Sequence, residues 1–252
     1  MPAIYAPRAR GFTLTELAVV FTIISLLLAA AMYTLSAQND QRNFEETRRR
    51  LEAARELLLS FAIVNGRLPC PATTTGFEAI TTPPNCDATY GGFLPAQAIG
   101  FQIVDTSGFA LDAWGNRIRY AVATTAPTCA VAPTAAPHFT NASALRTNGI
   151  TCQPNDLVVC RTATGITASA CGTAAPLTNQ TTLVAIVLST GKNGATGAGG
   201  IDEAANVNGD RVFVWHTPTP VGAANGEFDD HMTWISVGEL YGKLIAAGVL
   251  PY

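Results

Sequence analysis

Eight oxygen-bearing side chains crowd one stretch of this sequence: Asn193, Asp202, Glu203, Asn206, Asn208, Asp210, Asp229 and Asp230. They follow a strongly apolar run and fall in what reads as loop. Calcium takes about six to eight oxygen ligands from carboxylates, amides and carbonyls, so a hard cation is the chemistry this set could serve. Asn206-x-Asn208-x-Asp210 has the alternate-residue oxygen spacing of such loops, without the remainder of an EF-hand loop. Asp202, Asp210, Asp229 and Asp230 are the candidate carboxylate ligands. Solvated acids in ordinary turns are the other reading.

Other reactive chemistry is sparse. His138, His216 and His231 lie in unrelated segments, and no H-x-x-x-H or C-x-x-C spacing exists, which argues against zinc. No G-x-S-x-G elbow appears and no cysteine has an evident histidine partner, so no enzyme is expected. The run Gly191-Lys192-Asn193-Gly194 must be weighed as a phosphate loop. That pattern needs glycine where Ile186 stands and serine or threonine where Asn193 stands. No amphipathic helix is expected to follow, so a dinucleotide fingerprint fails too, and residues 191–200 read as a mobile glycine loop. Six cysteines, Cys70, Cys86, Cys129, Cys152, Cys160 and Cys171, read as disulfide formers in an oxidising compartment. The shortest loops would pair them as neighbours (70–86, 129–152, 160–171), but sequence alone does not choose among pairings.

The chain has 252 residues, 48% hydrophobic and 13% charged, with a net charge of −3. That length suits one sizeable folded head plus an anchor, and the charge balance leaves no basic footprint for nucleic acid. The anchor is read in Gly11–Leu35. From Leu17 to Leu35 there is no charge, proline or glycine, a run of about 19 residues or roughly 28 Å of helix, close to the thickness of a bilayer core. Arg8 and Arg10 precede it and favour the cytoplasmic side. A secretory signal peptide would have a shorter apolar core and a clear small-residue cleavage site. A plain membrane anchor accounts for everything except Glu16, a carboxylate at the front edge of the run.

The order Gly11-Phe12-Thr13-Leu14-Thr15-Glu16 before a long apolar helix resembles the class III signal of type IV pilins and type II secretion pseudopilins. The resemblance implies cleavage between Gly11 and Phe12 by a prepilin peptidase and N-methylation of the new Phe12 amine. It implies that Glu16 meets the Phe12 amine of a neighbouring subunit in a filament. It also implies an α+β pilin fold: a long N-terminal helix, transmembrane in its first half, packed on an antiparallel sheet. On this reading residues 1–11 are a cleaved leader, 12–37 a transmembrane helix, 38–65 its amphipathic continuation and 66–252 a periplasmic or extracellular head. The implied partners are the peptidase, other pilin-like subunits, an inner-membrane assembly platform and membrane lipid. The implied location is the bacterial inner membrane, single-pass, or a filament.

The elements that would position these groups are legible in part. Phe44, Thr47, Leu51, Ala54, Leu58 and Phe61 recur at spacings of three and four, one stripe of an amphipathic helix. One continuous helix from Thr13 to Val64 is favoured over two helices broken near Ala37–Asp40, and Asn65-Gly66 then stops it. Asp112-Ala113-Trp114-Gly115-Asn116 reads as a turn leading into a strand over Arg117–Val122. Residues 123–181 read as a core-poor insertion with one short strand at Leu157–Val159. Thr182–Ser189 is the strongest strand and is expected to be central. Asp210–His216 and Met232–Val237 read as further strands, and Ser236-x-x-Glu239 as the start of a short final helix.

The tryptophan turn and the segment Ser189–Trp234 resemble major pseudopilins, in which a calcium ion ties the C-terminal loop. Here a long insertion separates the two halves, and Asn193 stands where aspartate is usual. The resemblance favours a type II secretion pseudopilin that supports protein export. A minor type IV pilin, for adhesion, DNA uptake or motility, is the alternative. A membrane-anchored binding domain outside any filament is the third reading.

Overall fold

Sequence 14–65 is free of glycine and proline, and its helical backbone is continuous: α1 spans Leu14–Asn65. Gly66 ends it at φ 69, where its N–H reaches the Ala62 carbonyl at 2.8 Å. Only glycine takes that left-handed step at no cost. The structure, a computed structural model, describes residues 13–83, 85–124, 137–195 and 199–250, and for residues 31–37 the backbone alone. Gly11, Phe12 and Cys129 therefore lie outside the described residues.

The chain forms two compact units, Met1–Asn43 and Phe44–Tyr252. In the first, the apolar side chains of α1 over residues 14–30 are exposed; Leu14, Phe21, Leu26, Leu27 and Leu28 are more than half exposed. Among the described residues no helix is long and apolar enough to cross a membrane. The apolar run from Leu17 to Leu35 continues into the segment for which the backbone alone is described.

The second unit contains β1 (Ile80–Thr82), β2 (Asn85–Cys86), β3 (Gly92–Phe93), α2 (Ala96–Ile99), β4 (Arg119–Val122), α3 (Ala142–Asn148), β5 (Val158–Cys160), β6 (Leu183–Ser189), α4 (Ile201–Val207), β7 (Val212–Val214), β8 (His231–Ser236) and α5 (Val237–Ala246). Its principal sheet is antiparallel in the order β3-β4-β6-β8. β6 carries seven buried residues and sits between β4 and β8, as its uncharged, β-branched composition predicts. Within this unit the later turns of α1 bury Thr47, Leu51, Ala54, Leu58, Leu59 and Ala62. The apolar members of that set share one core with Tyr120, Val122, Ile186, Leu240 and Leu244. The stripe thus lies as the spacing predicts, except that Phe44 and Phe61 are only half-buried and Leu59 and Ala62 join it.

Three readings need correction. Residues 123–181 are not core-poor: Phe139, Leu145, Leu157 and Val159 are buried in the main core. Their apolar positions are too scattered for a periodic signal. The strand expected over 210–216 is shorter, buried throughout rather than alternating, and lies outside the principal sheet. It pairs in parallel with β5, Val158 opposite Val212 and Cys160 opposite Val214. A helix, α4, does follow the glycine loop, with Asp202 and Glu203 in its first turn. It buries Asp202, Glu203, Ala205 and Asn206 and leaves Ile201 and Val207 exposed, so it has no apolar stripe to show as a period.

Two disulfides lie wholly among the described residues, Cys70–Cys86 and Cys160–Cys171. Cys152 is also disulfide-bonded, and no free cysteine occurs among the described residues.

Candidate functional site

The tryptophan turn links α1 to the end of the central strand. Asp112 Oδ1 accepts the amides of Trp114 (2.9 Å) and Asn116 (2.8 Å), and its Oδ2 accepts the Ser189 hydroxyl (2.6 Å). Burial pushes the Asp112 carboxyl up, and these donors act against that rise. Arg50 donates to the carbonyls of Leu111 (3.2 Å) and Asp112 (2.7 Å), and Thr47 Oγ1 accepts from the Ala113 amide (3.1 Å). From the far side of the turn, the Asn116 amide donates to the Gly191 carbonyl at 2.6 Å. The glycine loop thus starts from a fixed point.

Beyond that point three carboxylates converge. Glu203 from α4 and Asp229 and Asp230 from just before β8 are all buried, with oxygens within 4.8 Å of one another. Glu203 Oε1 accepts the Asp229 amide (2.6 Å), the Lys192 amide reaches Asp229 Oδ2 (3.0 Å), and Asn206 Nδ2 reaches Asp230 Oδ2 (2.7 Å). Asn206 also clamps β7, accepting from the Val214 amide and donating to its carbonyl (2.7 and 3.0 Å). Asp229 Oδ1 and Asp230 Oδ1 have no partner, although their residues are only 5% and 2% exposed. Buried acceptors left unpaired are costly, and here each belongs to a carboxylate facing others. Burial, then the Glu203 charge, pushes Asp229 up to about 7. Asp230 is raised well above its ordinary value and Glu203 is raised, burial leading in both. A cleft of about 150 Å³ opens on the group, lined by Thr190, Asn193, Gly194, Glu203 and Asp230 among others.

Two glycines make room for this arrangement. A Cβ at Gly191, whose φ is 62, would fall 1.9 Å from Asp229 Oδ1, and one at Gly199 would fall 1.6 Å from Glu203 Oε2. Gly191→Ala should therefore displace Asp229 as well as strain the backbone, destabilising the protein by about 1–3 kcal/mol. Urea denaturation of the variant tests this; an unchanged midpoint would show that the loop re-forms without the Asp229 contact.

The structure separates the four acids singled out from the sequence. Asp229 and Asp230 meet, but Asp202 and Asp210 are elsewhere, and Glu203 takes the third place. Asp202 points to the opposite side of α4, where it accepts the Ala163 amide (2.5 Å), the Thr162 hydroxyl (3.2 Å) and Asn225 Nδ2 (3.0 Å), and meets His216 Nε2 (3.1 Å). Neighbouring residues on a helix do not share a face, so only one of Asp202 and Glu203 can join the group. Asp210 closes a local turn: it accepts the Val212 amide and Asn208 Nδ2, both at 2.8 Å. Of the alternating set only Asn208 and Asp210 share this turn; Asn206 lies on α4 and bonds Val214 and Asp230. The helix that presents Glu203 was the missing signal.

At the other end of the chain Glu16 sits in a reciprocal capping box. Its Oε2 accepts the Thr13 amide (2.9 Å) and hydroxyl (2.8 Å), and its own amide donates to Thr13 Oγ1 (3.3 Å). The Thr13-x-x-Glu16 spacing is a helix-start pattern and is the signal in the sequence for this cap.

Residues 7–32 match a family model described as the prokaryotic N-terminal methylation motif, the signature of type IV pilins and pseudopilins. The match includes Gly11, Phe12 and Glu16. It gives the chain a pilin-like N-terminus. No curated protein and no solved structure matches the chain.

Proposed function

We propose that this chain is a structural subunit of a pilus-like filament, a pseudopilin of a type II secretion machine that supports protein export. The carrying observation is the methylation motif over residues 7–32. A helix whose apolar side chains over residues 14–30 are exposed on all sides supports it, since such a surface calls for lipid or neighbouring helices. A prepilin peptidase would remove residues 1–11 and methylate the Phe12 amine. The apolar first half of α1 would hold the subunit in the inner membrane, with the head in the periplasm. Assembly would then transfer that helix from lipid to a bundle of pilin-like neighbours on an inner-membrane platform. The mixed helix and antiparallel sheet of the head is compatible with a pilin fold. The role needs no catalytic residue and no nucleic acid.

Glu203, Asp229 and Asp230 would hold a calcium ion, with loop carbonyls completing the shell. The unpaired buried oxygens of Asp229 and Asp230 fit an oxygen-seeking divalent cation. The ion would tie the glycine loop to α4 and to the start of β8. This site, together with the tryptophan turn, favours the secretion reading over a minor type IV pilin.

Glu16 separates a filament subunit from a plain anchored domain. Its carboxylate has Thr13 as its partner among the described residues, and in a filament it would also meet a neighbour's Phe12 amine. Glu16→Val removes an edge charge, so insertion and leader removal should persist. Incorporation should fail, because an amine left unpaired at a buried interface costs about 3–5 kcal/mol. The test follows leader removal and crosslinking to other pilin-like subunits side by side in wild type and variant. Unchanged crosslinking would leave Glu16 as a helix cap alone.

A further inference from the structure

The carboxylate group has a cation beside it that none of its hydrogen bonds uses. Arg119 of β4 lies opposite Phe93 on one side and Leu188 on the other, and Leu188 lies opposite Met232 of β8. Residues directly opposite one another in a sheet share a face. Asp230 stands two residues before Met232, so it falls on the face of Arg119. Arg119 is half-buried, with its guanidinium 5.4 Å from the centre of the Phe93 ring. Among the described residues it makes no hydrogen bond or ion pair, whereas its neighbour Arg117 pairs with Asp105 at 2.8 Å. The charges of Arg119 and Asp230 act on one another, each favouring the ionised form of the other.

We propose that Arg119 tunes the charge of the carboxylate site: it offsets one of the negative charges that Glu203, Asp229 and Asp230 carry when ionised. This rests on the reading of the group as a calcium site and adds how the site chooses its ion. Glu227 adds a further negative charge that acts on Glu203 and Asp229, so the group stays net negative with or without Arg119 and draws cations in either case. Arg119 repels every cation, and by Coulomb's law it repels a trivalent ion half as strongly again as a divalent one. It therefore acts as a selectivity residue without touching the ion.

The experiment titrates calcium and terbium into the full chain in detergent micelles at pH 8. It compares wild type, Arg119→Met, which keeps an apolar stem against Phe93, and Arg117→Met as a control for general charge. Arg119→Met should bind calcium about tenfold more tightly and terbium about thirtyfold more tightly, the logarithms following ion charge. Arg117→Met should bind both as wild type does. Equal affinities in Arg119→Met and wild type would overturn the proposal, as would a loss of affinity, which would make Arg119 an organiser of the site. The same gain in Arg117→Met would also overturn it, since the effect would then belong to surface charge at large. Failure of the wild type to bind calcium would remove the calcium reading itself, an outcome separate from any difference between the variants.

Discussion

Gly11→Ile should leave the leader on the protein, with the processed form falling at least a hundredfold. The cleavage signal proposed here places Gly11 immediately before the cut. A peptidase subsite fitted to glycine has no volume for a branched side chain, and a misplaced scissile bond costs catalysis steeply. Phe12 would then never become an N-terminus, and neither methylation nor an amine for a neighbour's Glu16 would exist. The loss should be nearly complete, while α1 and the head, which begin downstream, keep their stability. N-terminal sequencing and intact mass of membrane-extracted protein measure this directly: wild type should begin at methylated Phe12, the variant at Met1 or Pro2. A wild type that retains Met1 in cells with an active prepilin peptidase would sink the filament reading.

The second large effect concerns the carboxylate group and pH. Asp229, at about 7, titrates far above the carboxylate of an unfolded chain near 4, and Asp230 and Glu203 are shifted the same way. The folded protein therefore binds more protons than the unfolded chain between about pH 4 and 7. Stability from this source is complete below about 4 and is lost as pH rises through 7. Other acids act in the opposite sense at lower pH. Burial pushes Glu78 up, but its paired hydrogen bonds with Arg67, both 2.8 Å, and the Cys70 amide outweigh this and hold it low. Its contribution disappears only as pH falls through that lowered value. In chelator the protein should lose about 2 kcal/mol between pH 4.5 and pH 7.5, a figure reduced for solvent screening. Millimolar calcium should restore most of this at pH 7.5 and do little at pH 4.5, where protons already occupy the carboxylates. Asp230→Asn should stabilise the calcium-free protein at pH 7.5 and abolish the calcium effect. Urea midpoints across this range, with chelator and with calcium, decide the matter. Stability that stays level or rises toward pH 7.5 in chelator, with no response to calcium, would contradict both the electrostatics and the site.

Much of this scaffold is written locally. TLVAIVLS reads as a strand buried on both faces, from its β-branched residues and its length, and Leu183–Ser189 is the centre of the sheet. Ser236 accepts the Glu239 amide at 3.2 Å, so the final helix starts where its capping residues place it. The parts that were not legible depend on distant partners. α4 follows glycines, is only seven residues long and turns a largely polar face inward; it is held by Asn206 on β7 and by Asp202 on the loop at Thr162 and Ala163. Without that helix, nothing in the spacing says that Glu203 faces the site and Asp202 faces away. α3 is short, and its cap at Asn141, which accepts from Ser143 and Ala144, is easily read as a turn. Pairing of β5 with β7 joins segments whose sequences say only that each is apolar.

The order of strands in the sheet has a consequence for how the head comes to exist. β6 pairs with β4 and β8, yet everything from Ala123 to Thr182 and from Thr190 to Asp230 must be looped out before those pairings close. Bringing distant segments together gives up chain entropy before any strand contact repays it, so a topology of this kind assembles late and slowly. The two described disulfides are of the other sort. Cys70–Cys86 and Cys160–Cys171 join positions 16 and 11 residues apart, within reach of a chain that has barely begun to collapse. The covalent links can be set while the sheet is still open, and a chain arrested at that stage would carry native crosslinks around an unmade core.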